Sequence, residues 1–329
     1  MSEWTLAKTE YGNVPGAPVV YRTQAADGEA AMTLYRVFPG ITLFYNEIHM
    51  LRCPDFNILP GEMIEINFCQ DGRFECEYRN GSFAYLSAGD FSVHKRGLCH
   101  TDCVFPLGHY RGVSILVDPC DAARCVNCIL EDVSIDLNAL FMRLLREEPI
   151  FILKAKPCFQ HIFSEMYSIP DSIKKGYLKI KVLELLLFLS GMDVTERRTG
   201  GGYFSRARVM AAKQAKRYLV ENLDRRVPLS ELCEQVNASP TALKESFRGV
   251  YGSSIYAFAR AYKMQEAAVR LCRTDRAVLH IAMDFGYENA SKFSTAFRDV
   301  IGVSPQEYRK KHCPFGAVSG ETERTKGTI

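Results

Sequence analysis

Residues 229–258 recur fifty positions later as residues 279–308, and this internal repeat constrains the fold more than any other feature of the chain. Leu229 falls on Leu279, Leu243 on Phe293, Phe247 on Phe297 and Arg248 on Arg298. Gly252 falls on Gly302, Ser254 on Ser304 and Phe258 on Tyr308. Apolar, basic and glycine positions coincide, so the two stretches are expected to build one supersecondary unit twice.

Local signals outline that unit. In the first copy Ser230 can cap a helix ending at Val236, Asn237-Ala238 can turn, and Ser239-Pro240 can open a second helix. In the second copy a helix through Phe285 is expected to stop at Gly286, where a left-handed cap suits glycine. Asn289 then caps a helix to about Val300, and Ser304-Pro305-Gln306-Glu307 reads as a capping box. Two short helices joined by a tight turn have the layout of a helix-turn-helix. Between the copies Ser254–Arg273 is continuously helix-compatible, with Ala257, Ala261, Met264, Ala268 and Leu271 as the expected packing stripe. Such a helix spans roughly 27–30 Å, near the ~34 Å between successive major-groove faces of DNA.

Helical spacing sorts the second helix of each copy. Leu243 and Phe247 are four apart and face inward, which leaves Thr241, Lys244, Glu245 and Arg248 outward. The repeat puts Ser291, Ser294, Thr295 and Arg298 in the equivalent positions. In a helix-turn-helix this outward face enters the major groove. There Lys244 suits guanine O6/N7, Glu245 suits cytosine N4, and the hydroxyls suit several edges. Arg248 and Arg298 are better placed for phosphate.

The charge divides at the same place. Met1–Ser205 holds 20 lysines and arginines against 25 aspartates and glutamates, a net of −5. Arg206–His312 holds 19 against 11, a net of +8. A basic segment joined to a mildly acidic one suggests that only the C-terminal part meets a polyanion.

The rest of the chain reads as a different class. With 47% hydrophobic and 24% charged residues it is neither disordered nor fibrous. Its longest apolar stretch, Val182–Met192, is too short to span a bilayer, and the N-terminus lacks a secretory signal pattern, so no membrane partner and a cytoplasmic address are expected. Twelve cysteines are then expected as reduced thiols, mostly small core residues. Residues 30–118 alternate as strands. Ile64, Ile66 and Phe68 share a face; Phe74, Cys76 and Tyr78 follow a turn at QDGR; further turns fall at RNGS and SAGD. An antiparallel sandwich or small barrel is expected. Beyond Pro119 the period becomes helical, with a helix to about Ser190 that is apolar nearly all round and needs cover on two sides.

YLSAGDFSVHKRG resembles the small-barrel cupin pattern, but His94, His100 and His109 lack the spacing of a metal-binding cupin. Neither catalysis, nor a metal, nor a cofactor is expected. Cys99, Cys103, Cys120, Cys125 and Cys128 form the alternative, a thiol cluster with one CxxC that could switch by oxidation or bind zinc. Otherwise an apolar pocket inside the barrel would hold a small-molecule effector, with Phe68, Phe74, Tyr78, Tyr85, His109 and Tyr110 as candidate lining.

The C-terminal string IAMDFGYENASKFSTAFRDVIGVSPQEYR carries Ile281-Ala282, Phe285-Gly286-Tyr287, Ser291, Phe293, Phe297-Arg298, Gly302, Ser304-Pro305 and Tyr308-Arg309. On these residues, 206–312 resemble the DNA-binding domain of the AraC/XylS family; Lys263 stands where that family usually has arginine. The resemblance implies seven helices with two helix-turn-helix units, binding to double-stranded promoter DNA, and activation of transcription through RNA polymerase. It also implies an N-terminal sensing and dimerisation region. The expected organisation is α+β and multi-domain: a β-rich cupin-like sensor at 1–135, a helical segment making a homodimer at 136–192, a linker at 193–204, the DNA-binding domain at 205–312 and a disordered tail at 313–329.

Overall fold

Alternation from Ile64 onward does not stop at the expected turn: a single strand runs Ile64–Glu77, straight through Gln70-Asp71-Gly72-Arg73. Gly72 has φ +84°, and a Cβ there would lie 2.3 Å from the His109 carbonyl. The glycine lets this strand bend against a bulged neighbour whose register shifts between Arg111 and Gly112, so QDGR marks a bend and not a hairpin.

This is a computed structural model, in which residues 5–10, 17–25, 28–54, 63–78, 81–96, 102–146, 150–192 and 204–312 are described. The strands are β1 (Thr5–Glu10), β2 (Val19–Ala25), β3 (Gly28–Phe38), β4 (Ile41–His49), β5 (Arg52–Pro54) and β6 (Ile64–Glu77). They continue as β7 (Ser82–Ser87), β8 (Phe91–Lys95), β9 (Asp102–Val104), β10 (Tyr110–Val117), β11 (Ile150–Leu153) and β12 (Phe204–Ser205). Four helices accompany them: α1 (Pro119–Leu130), α2 (Leu137–Leu144), α3 (Pro157–Tyr167) and α4 (Lys174–Gly191). Seven more follow: α5 (Arg206–Glu221), α6 (Leu229–Val236), α7 (Pro240–Tyr251), α8 (Ile255–Arg273), α9 (Val278–Asp284), α10 (Ala290–Ile301) and α11 (Pro305–His312). The chain forms two units, Met1–Arg206 and Ala207–Ile329.

In the first unit all pairings are antiparallel, and the main path runs β1-β2-β3-β4-β10-β6-β7-β12. The expected barrel is not closed. The long β6 forks the sheet, with its first half beside β8 and β10 and its second half beside β7 and β9. Helices cover the face that a closed barrel would bury against its own far wall. Phe163 of α3 stacks on Phe68 of β6 at 4.2 Å and 6°. Leu137, Leu140, Phe141, Leu144, Leu178, Val182, Leu185 and Leu189 share one core cluster with Ile64, Ile66, Val93 and Ile115. Gly112–Val117 of β10 is buried along its whole length and lies between β4 and β6.

The SAGD turn forms as expected, with the Asp90 amide donating to the Ser87 carbonyl at 2.9 Å. At α4 the N-cap is Ile173, which makes no side-chain hydrogen bond. Among the cysteines, Cys69, Cys120, Cys125, Cys128, Cys158 and Cys233 are free thiols. The expected linker lies outside the described residues except for Phe204, which pairs with Phe83 in β12–β7, and the expected tail lies wholly outside them. No helix among the described residues is long and apolar enough to cross a membrane.

Among the described residues of the second unit the secondary structure is helical. Met264, Ala267, Ala268 and Leu271 of α8 pack with Ile281, Ala282, Phe285, Phe293 and Phe297. The expected stripe on α8 is corrected at its N-terminal end. Ala257 is exposed and Ala261 half-buried, while Ile255 and Phe258 are buried. Phe258 is drawn inward by Phe247 at 5.4 Å and Tyr251 at 5.1 Å.

Candidate nucleic-acid interface

Each copy of the repeat becomes two helices and a tight turn, α6–α7 and α9–α10. The expected caps organise the second helix of each. Ser239 accepts from the Ala242 amide at 3.3 Å, and Asn289 accepts from the Ser291 amide at 2.7 Å. Asn237 takes the left-handed conformation, φ 48°, in the turn of the first copy. Both second helices end on a left-handed glycine, Gly252 and Gly302, whose amides donate to the Arg248 and Arg298 carbonyls at 2.8 Å each. Ser304 and Glu307 form the reciprocal capping box, at 2.8 and 3.3 Å. One cap differs: Pro228 starts α6, and Ser230 lies inside its first turn without a capping bond.

The inward positions hold. Leu243, Phe247, Phe293 and Phe297 are all 0% exposed. With those anchors fixed, Thr241, Lys244, Glu245 and Arg248 project to solvent from α7. On α10, Ser291, Thr295 and Arg298 are exposed, and Ser294 is half-buried. The α10 face has a further restriction. The Thr295 hydroxyl donates to the Ser291 carbonyl at 3.0 Å, which leaves it only acceptor capacity for an incoming donor.

Two residues that periodicity alone could not single out shape the interface. Arg208 of α5 donates to the Glu245 carboxylate at 2.7 Å and to the Ser246 hydroxyl at 3.2 Å. Glu245 therefore stands on the outward face with a cation already against it. Lys263 of α8 donates to the carbonyls of Arg225 and Phe285, at 3.0 Å each, joining the loop before α6 to the turn after α9. Burial holds its ammonium below the ordinary lysine pKa, with Asp224 opposing the shift. Gly286 lies on the same seam: φ is +76°, and a Cβ would stand 2.5 Å from the Asp224 carbonyl.

The remaining candidates of the first unit are mostly core. Phe68, Phe74, Tyr78, Tyr85 and Tyr110 are each at most 7% exposed, and His109 sits at the surface 3.7 Å from Asp71. In the thiol cluster, Cys125 is half-buried, Cys120 and Cys128 are exposed, and Cys103 lies on β9; Cys99 and His100 fall outside the described residues. Among the described residues, no group of three or more His, Cys, Asp or Glu side chains is arranged to hold a metal ion.

Comparison with known proteins shows what the C-terminal residues are similar to. A family profile described as a helix-turn-helix domain matches residues 232–311. The chain is 34% identical over 93 residues to the HTH-type transcriptional activator RhaR of Klebsiella pneumoniae, covering 28% of this chain and 33% of that protein. It is 26% identical over 113 residues to the melibiose operon regulatory protein of Escherichia coli, covering 34% of this chain and 37% of that one. These matches span about a third of the relatives' length. Among solved structures, a probable AraC family transcriptional regulator from Rhodopseudomonas palustris is 26% identical, with a TM-score of 0.30, covering 32% of this chain and 99% of that one.

Proposed function

We propose that this chain, whose C-terminal unit is a DNA-binding helix-turn-helix domain of the AraC type, regulates transcription by reading promoter DNA with both copies of its repeat. The observation that carries the reading is the pair of outward polar faces on α7 and α10, each set by buried aromatic or aliphatic anchors. Thr241, Lys244 and Glu245 are the base-reading residues of the first copy, and Arg248 meets phosphate. Ser291, Ser294 and Thr295 occupy the same places in the second, with Arg298 on phosphate. The 19 residues of α8 separate the copies by about 28 Å, which suits adjacent major grooves.

The finer parts of the proposal concern the first unit. It acts as a cupin-like sensor of a small-molecule effector and joins two copies of the chain through its helical segment. Support for a homodimer comes from α4 and the residue before it, which leave Ile173, Ile180, Leu187 and Phe188 at 38–62% exposure. The regulator works in the cytoplasm as an activator, through RNA polymerase. RhaR, to which the C-terminal residues are similar, is a transcriptional activator, which supports that direction.

The test is a gel-shift of the full chain against random duplex pools across a salt series. Binding that weakens steeply with salt, together with enrichment of a defined sequence, is the expected result. Absence of salt-sensitive duplex binding would overturn the reading.

A further inference from the structure

We propose that the first unit binds a small organic anion with an apolar body in a groove between α2, the start of α1 and the ends of β6 and β8. This site lies outside the sheet interior. Aromatic rings pack inside the sheet: Phe68 is stacked on Phe163, and Phe74, Phe105 and Tyr110 contact one another with ring centroids 5.2–6.0 Å apart. The groove, by contrast, encloses about 1040 Å³, at the upper end of the range for small-molecule sites.

Its charge selects the occupant. Among the described residues that line it, Lys95, Arg143 and Arg146 stand against one carboxylate, Asp118. That carboxylate accepts from the amides of Cys120 and Asp121, at 2.9 and 3.2 Å, and so is directed into the N-terminus of α1. The Arg143 guanidinium donates to the carbonyls of Leu189 and Ser190, at 3.1 and 2.8 Å. Carbonyls hold the guanidinium in position without neutralising it. With the Arg143 guanidinium held at the end of α4, Lys95 and Arg146 still leave the described lining with an excess of positive charge suited to a carboxylate, sulfonate or phosphate ester.

The apolar lining selects the rest of the ligand. Met63, Met142 and Leu145 share the groove with the cations. Met142 is 72% exposed, a large flexible apolar side chain left in water at the rim. A thioether in that position adapts to varied ring or alkyl bodies. A cation is repelled by this lining, and a neutral polyol leaves both the apolar surface and the charge without partners. The regulatory meaning of the site rests on the proposed sensor role of the first unit; the binding itself does not.

The experiment uses the full chain and anilinonaphthalenesulfonate, a fluorescent organic anion, as probe. Saturable binding to the folded protein is expected. Lys95→Gln combined with Arg146→Gln should weaken it by about tenfold or more, with the thermal midpoint unchanged. Met142→Glu, which places a carboxylate at the rim, should weaken it independently. Octanoate and phenyl phosphate serve as competitors: displacement by the first alone, the second alone or both assigns the head group, and displacement by neither overturns the proposal. So does wild-type affinity in the double variant and in Met142→Glu. Gel-shift on the same variants separates the two readings, because DNA binding without probe binding sinks the groove and leaves the reading heads standing.

Discussion

Arg208 on α5 clamps Glu245 on α7 at 2.7 Å while also donating to the Ser246 hydroxyl, so the carboxylate on the first outward face is positioned from another helix. Both side chains are substantially exposed, at 41% and 61%. An exposed pair of this kind contributes at most about 1 kcal/mol to stability. Its significance lies in direction: the carboxylate is held at one place along the face. Arg208→Ala should therefore leave the thermal midpoint within a degree or two, yet change base preference at the same position as Glu245→Ala. Selection from randomised duplexes reads both; two unrelated positions would show that Arg208 acts elsewhere.

Arg248 and Arg298 should behave alike and unlike Glu245. Each sits in the last turn of its outward helix, three residues beyond Glu245 and Thr295 respectively. Replacement by alanine should weaken every duplex by a similar factor and reduce the slope of log affinity against log salt by about one phosphate contact. A sequence-dependent loss would move that arginine onto a base.

Phe247 and Phe297 occupy equivalent places in the two copies and are both fully buried. Phe247 lies 4.7 Å from Tyr251, and Phe297 lies 5.7 Å from Tyr308, each as one member of an aromatic group. Truncation of either to alanine should cost about 3–5 kcal/mol in denaturant unfolding. Unequal costs of more than about 2 kcal/mol would mean that one copy carries the stability of the domain.

Glu231 supplies a pH dependence. Hydrogen bonds from Arg225 and Tyr218 hold its carboxyl down at about 2, against an ordinary 4.5. A depressed carboxylate stabilises the fold above its unfolded value and loses that contribution as pH falls toward its folded one. The wild-type midpoint should decline through the window from about 4.5 to 2, and Glu231→Gln should flatten that part of the decline. Equal acid limbs in the two proteins would refute this.

Gly286→Ala should destabilise by more than about 1 kcal/mol, because it combines positive φ with a Cβ 2.5 Å from a backbone carbonyl. Gly302→Ala keeps the φ penalty but meets nothing within 4 Å, so its cost should be smaller. Reversal of that order, measured by thermal unfolding, would remove the close approach as the cause.

What could be read from sequence was local. Ser239, Asn289 and the Ser304–Glu307 box announce helix starts within four residues, and all form. The inward spacing of Leu243 and Phe247 needs only helical geometry. Misreadings came where distance along the chain decides. Gly72 has the composition of a hairpin turn, but β10, some forty residues on, pairs alongside and keeps the strand extended. Closure of the barrel depends on what covers the sheet, and α3 and α4 cover it. Arg208 lies 37 positions from Glu245, with no periodicity to connect them. On α8, alanines at helical spacing suggested the stripe, yet the aromatic contacts of Phe258 turned the helix a little further round.

The Lys263 seam has a consequence for how a duplicated unit can change over generations. The outward faces of α7 and α10 differ in chemistry: Lys244 and Glu245 on the first stand where the second has Ser294 and Thr295. At the seam that freedom is withdrawn. One ammonium serves the carbonyls of Arg225 and Phe285, sixty positions apart, and Gly286 must stay bare to admit Asp224. A change on either side has to be matched on the other before it can be inherited without loss. The two copies can come to read different words, while the hinge between the pages is held in common.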